Sequence, residues 1–384
     1  MAAAAAITPI VMPKWGLSMA EGTVVSWLVE EGTQITVGMP ILEVESDKIA
    51  NAVEAPDPGL LRRRIASAGE LLPVKALLGV MAPPEVSDAE IDTYVAAYVV
   101  PAAAEGDEAD AGPAYLWAEV DGIRVRYGRR GDEASDKTPV LFLHGFGGDL
   151  DNWLFNLDAV AAAAPVIALD LPGHGQSDAR LPGAATLADL ATFVLHFLDN
   201  LGVQRVHVVG HSMGGAIAAQ MALAAPERVA SLVLIASAGL GGEINGGYID
   251  GFVAAATKRE LKPVLEQLFA DPTLVSRQMI DDVLRFKRLD GVSQVLAQLG
   301  ATLFGAGGQA GQPVAQLAGS GVPTTLVWGR EDRIIPAAHA ANAPAGANVH
   351  VIGGAGHMVM MEKAGEVNAL ILAQVQGVVR AEPS

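Results

Sequence analysis

The sequence predicts two domains of different fold class, a small all-β domain followed by a larger α/β domain. Three observations lead to this prediction: residues 5–82 contain a weak internal repeat, the next segment is acidic and rich in Ala, Pro and Gly, and strand-like runs alternate with helical segments from about residue 117. At 384 residues the chain is long enough for two or three domains. Alternation of strands and helices is typical of a mainly parallel sheet with crossover helices.

Composition argues against several classes of partner. The formal net charge is −18, and nucleic acids and anionic membranes both require a basic patch. The chain has no cysteine, so it forms neither a disulfide nor a thiolate metal site, and we expect no metal ion. It also has no basic region ahead of its first alanines and no strongly apolar run of 18 residues. These features favour a cytoplasmic protein without a nucleic acid or membrane partner.

The internal repeat indicates a pseudo-twofold arrangement of short strands. Gly22 and Gly32 are ten residues apart, and Gly59 and Gly69 repeat this spacing 37 residues later. Turn residues recur between strand-like runs, as in an all-β domain. Lys48 falls where the first repeat passes into the second, so we expect it at the exposed tip of a hairpin turn. An ordinary solvated lysine and a site of covalent attachment both fit this position.

Residues 5–82 resemble the lipoyl domains of 2-oxoacid dehydrogenase complexes. The matching residues are, in order, Glu21, Gly22, Gly32, Gly38, the run Glu43-Val44-Glu45-Ser46-Asp47-Lys48, and Gly59. Biotin carriers share this barrel-sandwich fold but have methionine on both sides of the lysine, whereas Lys48 lies between Asp47 and Ile49. The resemblance therefore implies that a lipoate ligase attaches lipoate to Lys48 and that the lipoyl arm holds an acyl group as a thioester.

Residues 83–115 are predicted to separate the two domains. Ser87 and Glu90 form an N-cap pattern for one short helix, and Val86 to Pro113 contains seven acidic residues and no basic one. The second half, residues 101–113, combines Ala, Pro, Gly and acidic residues. We expect this half to be an extended and mobile linker, which would let a lipoyl arm swing.

Six strand-like runs indicate the sheet of the larger domain, residues 116–380. These runs are residues 139–145, 166–173, 206–215, 230–237, 324–332 and 348–357. In parallel sheets the chemistry lies at the carboxyl ends of the strands. The residues of this domain that suggest chemistry, described next, fall at those ends.

The run Gly210-His211-Ser212-Met213-Gly214 lies between a strand-like run and a helical segment. A G-x-S-x-G pattern in that context predicts a nucleophile elbow, whose tight turn leaves no room for a Cβ at either glycine. A serine nucleophile needs a base, and the base needs an acid that orients it. In chain order the candidates are Asp332 as the acid and His357 as the base, with Glu331 as a rival acid.

The oxyanion that forms during acyl transfer needs backbone N–H donors. We expect one donor at Met213, directly after the nucleophile, and the other at Phe146 in the loop His144-Gly145-Phe146-Gly147-Gly148. The run from Asp170 to Ser177 is interpreted as structural. His207 and His211 are interpreted as packing residues rather than bases.

Residues 117–380 resemble the α/β-hydrolase superfamily, and this resemblance favours Asp332 over Glu331 as the acid. It also implies a helical lid at about residues 238–321, where the strand alternation stops and amphipathic helical segments follow. A lipoyl domain joined to such a domain resembles the dihydrolipoamide acetyltransferase components of bacterial acetoin dehydrogenase systems. The commoner acyltransferase components carry the motif H-x-x-x-D-G. It is missing here, because no histidine stands four residues before the Asp-Gly pairs at 121, 250 and 290.

The resemblance implies an acyltransferase that passes an acetyl group from lipoyl-Lys48 to coenzyme A through Ser212, His357 and Asp332. Its implied partners are a thiamine-diphosphate-dependent acetoin dehydrogenase component and a dihydrolipoamide dehydrogenase. Two alternatives stay open. One is an esterase or thioesterase fused to a lipoyl domain, and the other is a lipoyl carrier whose hydrolase-like domain is only a docking scaffold.

Overall fold

The computed structural model describes residues 7–15, 19–46, 50–55, 57–100, 115–132, 134–305 and 308–377. These residues form two compact units, one within Met1–Gly112 and the other within Pro113–Ser384. Lys48 and the predicted linker at 101–113 lie outside the described ranges. Within those ranges, no helix is long and apolar enough to cross a membrane.

The small unit contains two four-stranded sheets in its described residues. Its strands are β1 (Thr8–Val11), β2 (Glu21–Trp27), β3 (Gln34–Ile35), β4 (Pro40–Glu45), β5 (Ala50–Glu54), β6 (Gly59–Arg64), β7 (Leu71–Pro73) and β8 (Leu77–Met81). The strand orders are β1-β8-β6-β3 and β5-β4-β2-β7, and neighbouring strands pair antiparallel. Exchanging β1 with β5, β8 with β4, β6 with β2 and β3 with β7 converts one order into the other. The pseudo-twofold symmetry predicted from the repeat is therefore confirmed.

The strands on either side of Lys48 pair with each other. β4 and β5 run antiparallel, and Glu45 lies directly opposite Ala50. Residues 46–49 therefore connect the ends of two adjacent strands, at the boundary between the repeats. The predicted position of Lys48 at the tip of this connection lies outside the described residues.

Helix α1 (Asp88–Ala97) packs on the small unit and does not stand apart as linker. It begins as predicted, because the Ser87 side chain accepts from the Glu90 amide and the Glu90 side chain accepts from the Ser87 amide. Ile91 is fully buried, and Arg62 forms an ion pair of 2.9 Å with Asp88. The buried residues around this helix form a small cluster of their own: Ile7, Val80, Ala82, Val86 and Ile91.

The large unit is built on an eight-stranded sheet. Its strands are β9 (Leu116–Val120), β10 (Ile123–Arg130), β11 (Val140–Leu143), β12 (Val166–Leu169), β13 (Val206–His211), β14 (Val229–Ile235), β15 (Thr324–Gly329) and β16 (Asn348–Ile352). The order is β16-β15-β14-β13-β11-β12-β10-β9. Pairing is parallel from β12 to β16 and antiparallel where β9 and β10 join. The six parallel strands coincide with the six strand-like runs, so the mainly parallel sheet is confirmed.

The helices of the large unit divide into those that cover the sheet and an insertion between β14 and β15. The covering helices are α2 (Leu157–Ala161), α3 (Leu187–Asn200), α4 (Met213–Ala224), α9 (Val359–Glu362) and α10 (Ala364–Val375). The helical insertion comprises α5 (Gly246–Ala254), α6 (Lys258–Leu265), α7 (Arg277–Lys287) and α8 (Val292–Phe304). It lies in the segment predicted as a lid.

Candidate active site

Ser212 lies at a sharp turn between β13 and α4. Its backbone has φ 52° and ψ −117°, a strained conformation for a residue with a side chain. A Cβ at Gly210 would lie 2.5 Å from the Gly214 carbonyl oxygen, and a Cβ at Gly214 would lie 2.3 Å from the Leu143 carbonyl oxygen. Backbone occupies both places, so the structure has the predicted elbow and requires both glycines.

His357 is oriented by Asp332. Its Nδ1 lies 2.8 Å from Asp332 Oδ2, and the two side chains are 3% and 0% exposed. The other oxygen of Asp332 accepts from the amides of Ile334 and Ile335 at 2.8 and 3.0 Å. A carboxylate beside Nδ1 favours the tautomer that carries the proton there, so Nε2 keeps its lone pair for a base.

Glu331, the rival acid, faces elsewhere. Its Oε2 accepts from the amide of Ala355 at 3.0 Å. The Glu331 carboxylate thereby fixes the turn that leads to His357 and does not bind its ring. The geometry supports Asp332 as the acid.

The three predicted residues come from the carboxyl ends of three parallel strands. Ser212 follows β13, Asp332 follows β15 and His357 follows β16. Ser212 and His357 line the same cavity and are 5% and 2% exposed. The structure therefore brings a strained serine and a histidine with an ordered carboxylate to one enclosed space.

The two predicted oxyanion donors lie in the elbow and in the loop that follows β11. Met213 is the first residue of α4, and amides in the first turn of a helix have no acceptor within the helix. Phe146 lines the cavity from the loop that follows β11. Met213 directly follows the serine, and a Cβ at Gly145, the residue before Phe146, would lie 3.0 Å from the Ser212 Cβ, so both residues belong to backbone that lies close to the serine.

His144 has a role in this loop that the sequence did not reveal. Its Nε2 accepts from the Leu171 amide at 3.0 Å, so its Nδ1 donates to the Gly145 carbonyl, 2.8 Å away. The Gly145 carbonyl and the Phe146 amide belong to one trans peptide and point in opposite directions. Fixing the carbonyl thus fixes the proposed donor. Burial lowers the pKa of His144 to about 4, so the ring is neutral at pH 7.

His211 packs against His357. Its Nε2 donates to the His357 backbone carbonyl at 3.0 Å, and the two ring centroids are 4.7 Å apart. Burial, and then the nearby His357, hold the pKa of His211 well below its usual value. This neutral ring agrees with the prediction of a packing residue, as does the contact of 2.7 Å between His207 Nδ1 and the Ser231 hydroxyl.

The loop from Asp170 to Ser177 is structural, as interpreted from the sequence. Asp170 is fully buried and accepts from Arg126 Nε at 2.5 Å, from the Leu150 amide at 2.8 Å and from the Gln176 amide at 2.9 Å. The carboxylate thus ties this loop to β10 and to the segment after β11.

The cavity above Ser212 has a volume of about 690 Å³, including its opening. The helical insertion supplies much of its wall, and the sequence did not identify the individual wall residues. They include Tyr248, Ile249, Phe252, Met279, Val283 and Phe304. No group of three or more His, Asp or Glu side chains in the described part of the chain could hold a metal ion.

Comparisons with known proteins agree with this division of the chain. Residues 138–364 match the family model of the alpha/beta hydrolase fold. Residues 8–81 match the model described as biotin-requiring enzyme, whose name covers biotin and lipoyl domains. A meta-cleavage product hydrolase from Pseudomonas fluorescens has a TM-score of 0.60 at 21% identity, over 69% of this chain and 98% of its own. At that identity the likeness shows the fold alone.

Two curated relatives match nearly the whole chain. A dihydrolipoyllysine-residue acetyltransferase component of an acetoin cleaving system from Cupriavidus necator is 63% identical, over 97% of this chain and 98% of its own. A component of the same name from Pseudomonas putida is 50% identical, over 96% of this chain and 98% of its own. This chain therefore belongs to the family of dihydrolipoyllysine-residue acetyltransferase components of acetoin cleaving systems.

Proposed function

We propose that this enzyme passes an acetyl group from a lipoyl thioester to coenzyme A through Ser212. The observation that carries the proposal is the arrangement of Ser212, His357 and Asp332 at one cavity. That arrangement is the apparatus of covalent acyl transfer. Its presence in a chain with a lipoyl-type unit supports an acyl group delivered by the arm and opposes a docking scaffold.

Lys48 is the residue that would hold the lipoyl group, in amide linkage. The pairing of β4 with β5 suits such an attachment site. Glu45 and Ala50 lie directly opposite each other, so residues 46–49, which include Lys48, form the connection between the two strands. When bound, lipoate supplies a thiol that carries an acyl group as a thioester. Tethering such an arm raises its local concentration to about millimolar, so a site with modest affinity is sufficient.

In the first half of the reaction the Ser212 oxygen attacks the thioester carbonyl. His357 Nε2 takes the serine proton, and Asp332 stabilises the resulting imidazolium. The amides of Phe146 and Met213 donate to the oxyanion. His357 would then return the proton to the leaving sulfur as the carbon–sulfur bond breaks, and Ser212 would keep the acetyl group as an ester.

In the second half the thiol of coenzyme A attacks this ester. His357 takes the thiol proton, sulfur bonds to the carbonyl carbon, and the bond to the Ser212 oxygen breaks. His357 then returns the proton to the serine. One thioester is lost and one is formed, so the enzyme must position the thiol and exclude water, a role we assign to the helical insertion.

The proposed partners follow from this reaction. A thiamine-diphosphate-dependent acetoin dehydrogenase component would load the arm, a dihydrolipoamide dehydrogenase would reoxidise it, and a lipoate ligase would attach it. Membership of an acetoin cleaving system supports partner enzymes of this kind.

The test compares two acceptors for the acetyl group. Acetyl-dihydrolipoamide is supplied to the full-length protein, and acetyl-coenzyme A and free acetate are measured with and without coenzyme A. The proposal expects acetyl-coenzyme A as the main product and little of it from Ser212→Ala. Free acetate at the same rate in both conditions would identify a thioesterase. If neither acetyl-coenzyme A nor free acetate forms, the protein is a lipoyl carrier whose large domain is a docking scaffold.

A further inference from the structure

The cavity wall, as far as the described residues show it, carries neither a basic side chain of the Lys or Arg type nor a carboxylate. The helical insertion contributes apolar side chains from all four of its helices, among them Ile249, Phe252, Leu265, Met279, Val283 and Phe304. A charged group that enters such a space loses water without gaining an opposite charge.

The polar side chains that line the cavity supply no free cation either. His211 is neutral because burial holds its pKa well below the usual value, and burial raises the pKa of Tyr248, which keeps its hydroxyl neutral. Asn152 is an uncharged amide whose oxygen accepts from the Asp149 amide at 3.3 Å. Any positive charge on His357 is already matched by Asp332 at 2.8 Å.

Two cations near the wall are already engaged elsewhere. The Lys287 ammonium donates to the carbonyls of Phe252 and Ala255, and to that of Val253 at 3.3 Å, at the carboxyl end of α5. Arg333 donates to the carbonyl of Phe269 and to that of Glu266 at 3.2 Å. Both charges thus stabilise backbone carbonyls of the insertion and are not available to a ligand in the cavity.

We propose that this cavity selects neutral acyl thioesters and excludes acyl groups that end in a carboxylate. This inference rests on the proposed function and adds to it the class of acyl group that the site takes. An acyl chain with a terminal carboxylate would place its charge against the apolar side chains of the helical insertion. A chain of the same shape with a methyl ketone would meet no such penalty.

The test uses two thioesters of N-acetylcysteamine that differ in one group. The 5-oxohexanoyl thioester ends in a methyl ketone, and the glutaryl thioester has a carboxylate in the same place. Binding of each to the full-length Ser212→Ala protein is measured by calorimetry, so the result does not depend on turnover. We expect the neutral compound to bind at least about tenfold more tightly, since the carboxylate must be desolvated without a partner. Equal binding, tighter binding of the glutaryl compound, or no binding of either would overturn the proposal.

A matched pair of variants tests whether the absence of a cation causes the preference for the neutral compound. Met279 lies half-buried on α7 at the cavity wall. In the Ser212→Ala background, Met279→Arg should improve binding of the glutaryl compound and reverse the preference, whereas Met279→Gln, which adds polarity without charge, should not. If both variants improve binding of the glutaryl compound equally, the absence of a cation does not cause the preference for the neutral compound. Because binding is read without coenzyme A, this result stands whether or not acetyl transfer to coenzyme A is found.

Discussion

His357 Nδ1 lies 2.8 Å from Asp332 Oδ2, whereas the carboxylate of the adjacent Glu331 accepts from the Ala355 amide. Two neighbouring acids thus have separate tasks, one at the histidine ring and one at the turn that presents it. We predict that Asp332→Asn lowers kcat/KM for a simple ester by at least about 100-fold, because the amide favours the wrong tautomer of His357.

Glu331→Gln is the matched control for this prediction. Glutamine keeps an oxygen that can accept from the Ala355 amide, so kcat/KM should stay within about threefold of the wild type. Both variants are compared by steady-state kinetics, with circular dichroism to verify the fold. A larger loss from Glu331→Gln than from Asp332→Asn would reverse the choice of acid.

The elbow should not tolerate a methyl group at Gly214. A Cβ there would lie 2.3 Å from the Leu143 carbonyl oxygen and 2.6 Å from that of His144. Gly214→Ala should therefore destabilise the large unit by roughly 1–3 kcal/mol and displace Ser212, with loss of most ester hydrolysis. Gly353→Ala is the control, because a Cβ at Gly353 would meet no atom within 4 Å. Unfolding temperature and ester hydrolysis are measured for both variants. Equal values in Gly214→Ala and Gly353→Ala would contradict the elbow geometry.

Buried neutral histidines should make the fold sensitive to acid. The pKa of His144 is lowered by burial from 6.5 to about 4, so between these values the unfolded chain binds a proton that the folded chain does not. The contribution of His144 to the free energy of unfolding should therefore be complete above pH 6.5 and should fall by about 3 kcal/mol as the pH drops towards 4. Below that range both states are protonated and the loss levels off.

The measurement is the free energy of unfolding of the wild type and of His144→Asn between pH 7 and pH 4. The variant should be less stable at pH 7, because asparagine does not reproduce both hydrogen bonds of the ring, and its stability should fall less steeply. An identical slope in both proteins would show that His144 does not bind its proton differently in the two states.

Lipoylation should occur at Lys48. Protein produced together with a lipoate ligase should gain one lipoyl mass increment, and Lys48→Arg should lose it, because arginine cannot form the amide. Lys14→Arg, elsewhere in the small unit, serves as the control and should keep the increment. Intact-mass analysis decides the result. A biotin increment, or a lipoyl increment that persists in Lys48→Arg, would contradict the assignment.

Features of this chain that depend on local spacing could be predicted from sequence. The six parallel strands are β-branched runs that end in turn residues, and the elbow is defined by two glycines at fixed distances from Ser212. Both follow from short-range sterics. The pseudo-twofold order of the small unit could be predicted for a similar reason, since the 37-residue repeat gives each strand a counterpart.

Features that depend on tertiary contacts could not be predicted. Glu331 and Asp332 follow the same strand, so the residue pattern alone left both open as the acid and only the family resemblance favoured Asp332. The position of the Ala355 turn separates the two carboxylates in the structure. Attachment of α1 to the small unit depends on Ile91 and Arg62, which lie 29 residues apart in sequence. The cavity wall combines side chains from several helices of the insertion, whose amphipathic patterns predict helices but not which faces meet above Ser212.

Acyl transfer through Ser212 is tested most directly by whether an acetyl group appears on this serine. Acetyl-dihydrolipoamide is mixed with the full-length protein without coenzyme A, the reaction is quenched in acid, and the peptide that contains Ser212 is analysed by mass spectrometry. We expect one acetyl group on Ser212, which coenzyme A removes as acetyl-coenzyme A faster than water does. Acetyl-coenzyme A formed by Ser212→Ala at the wild-type rate would contradict this mechanism, since the serine would then not be the acyl carrier.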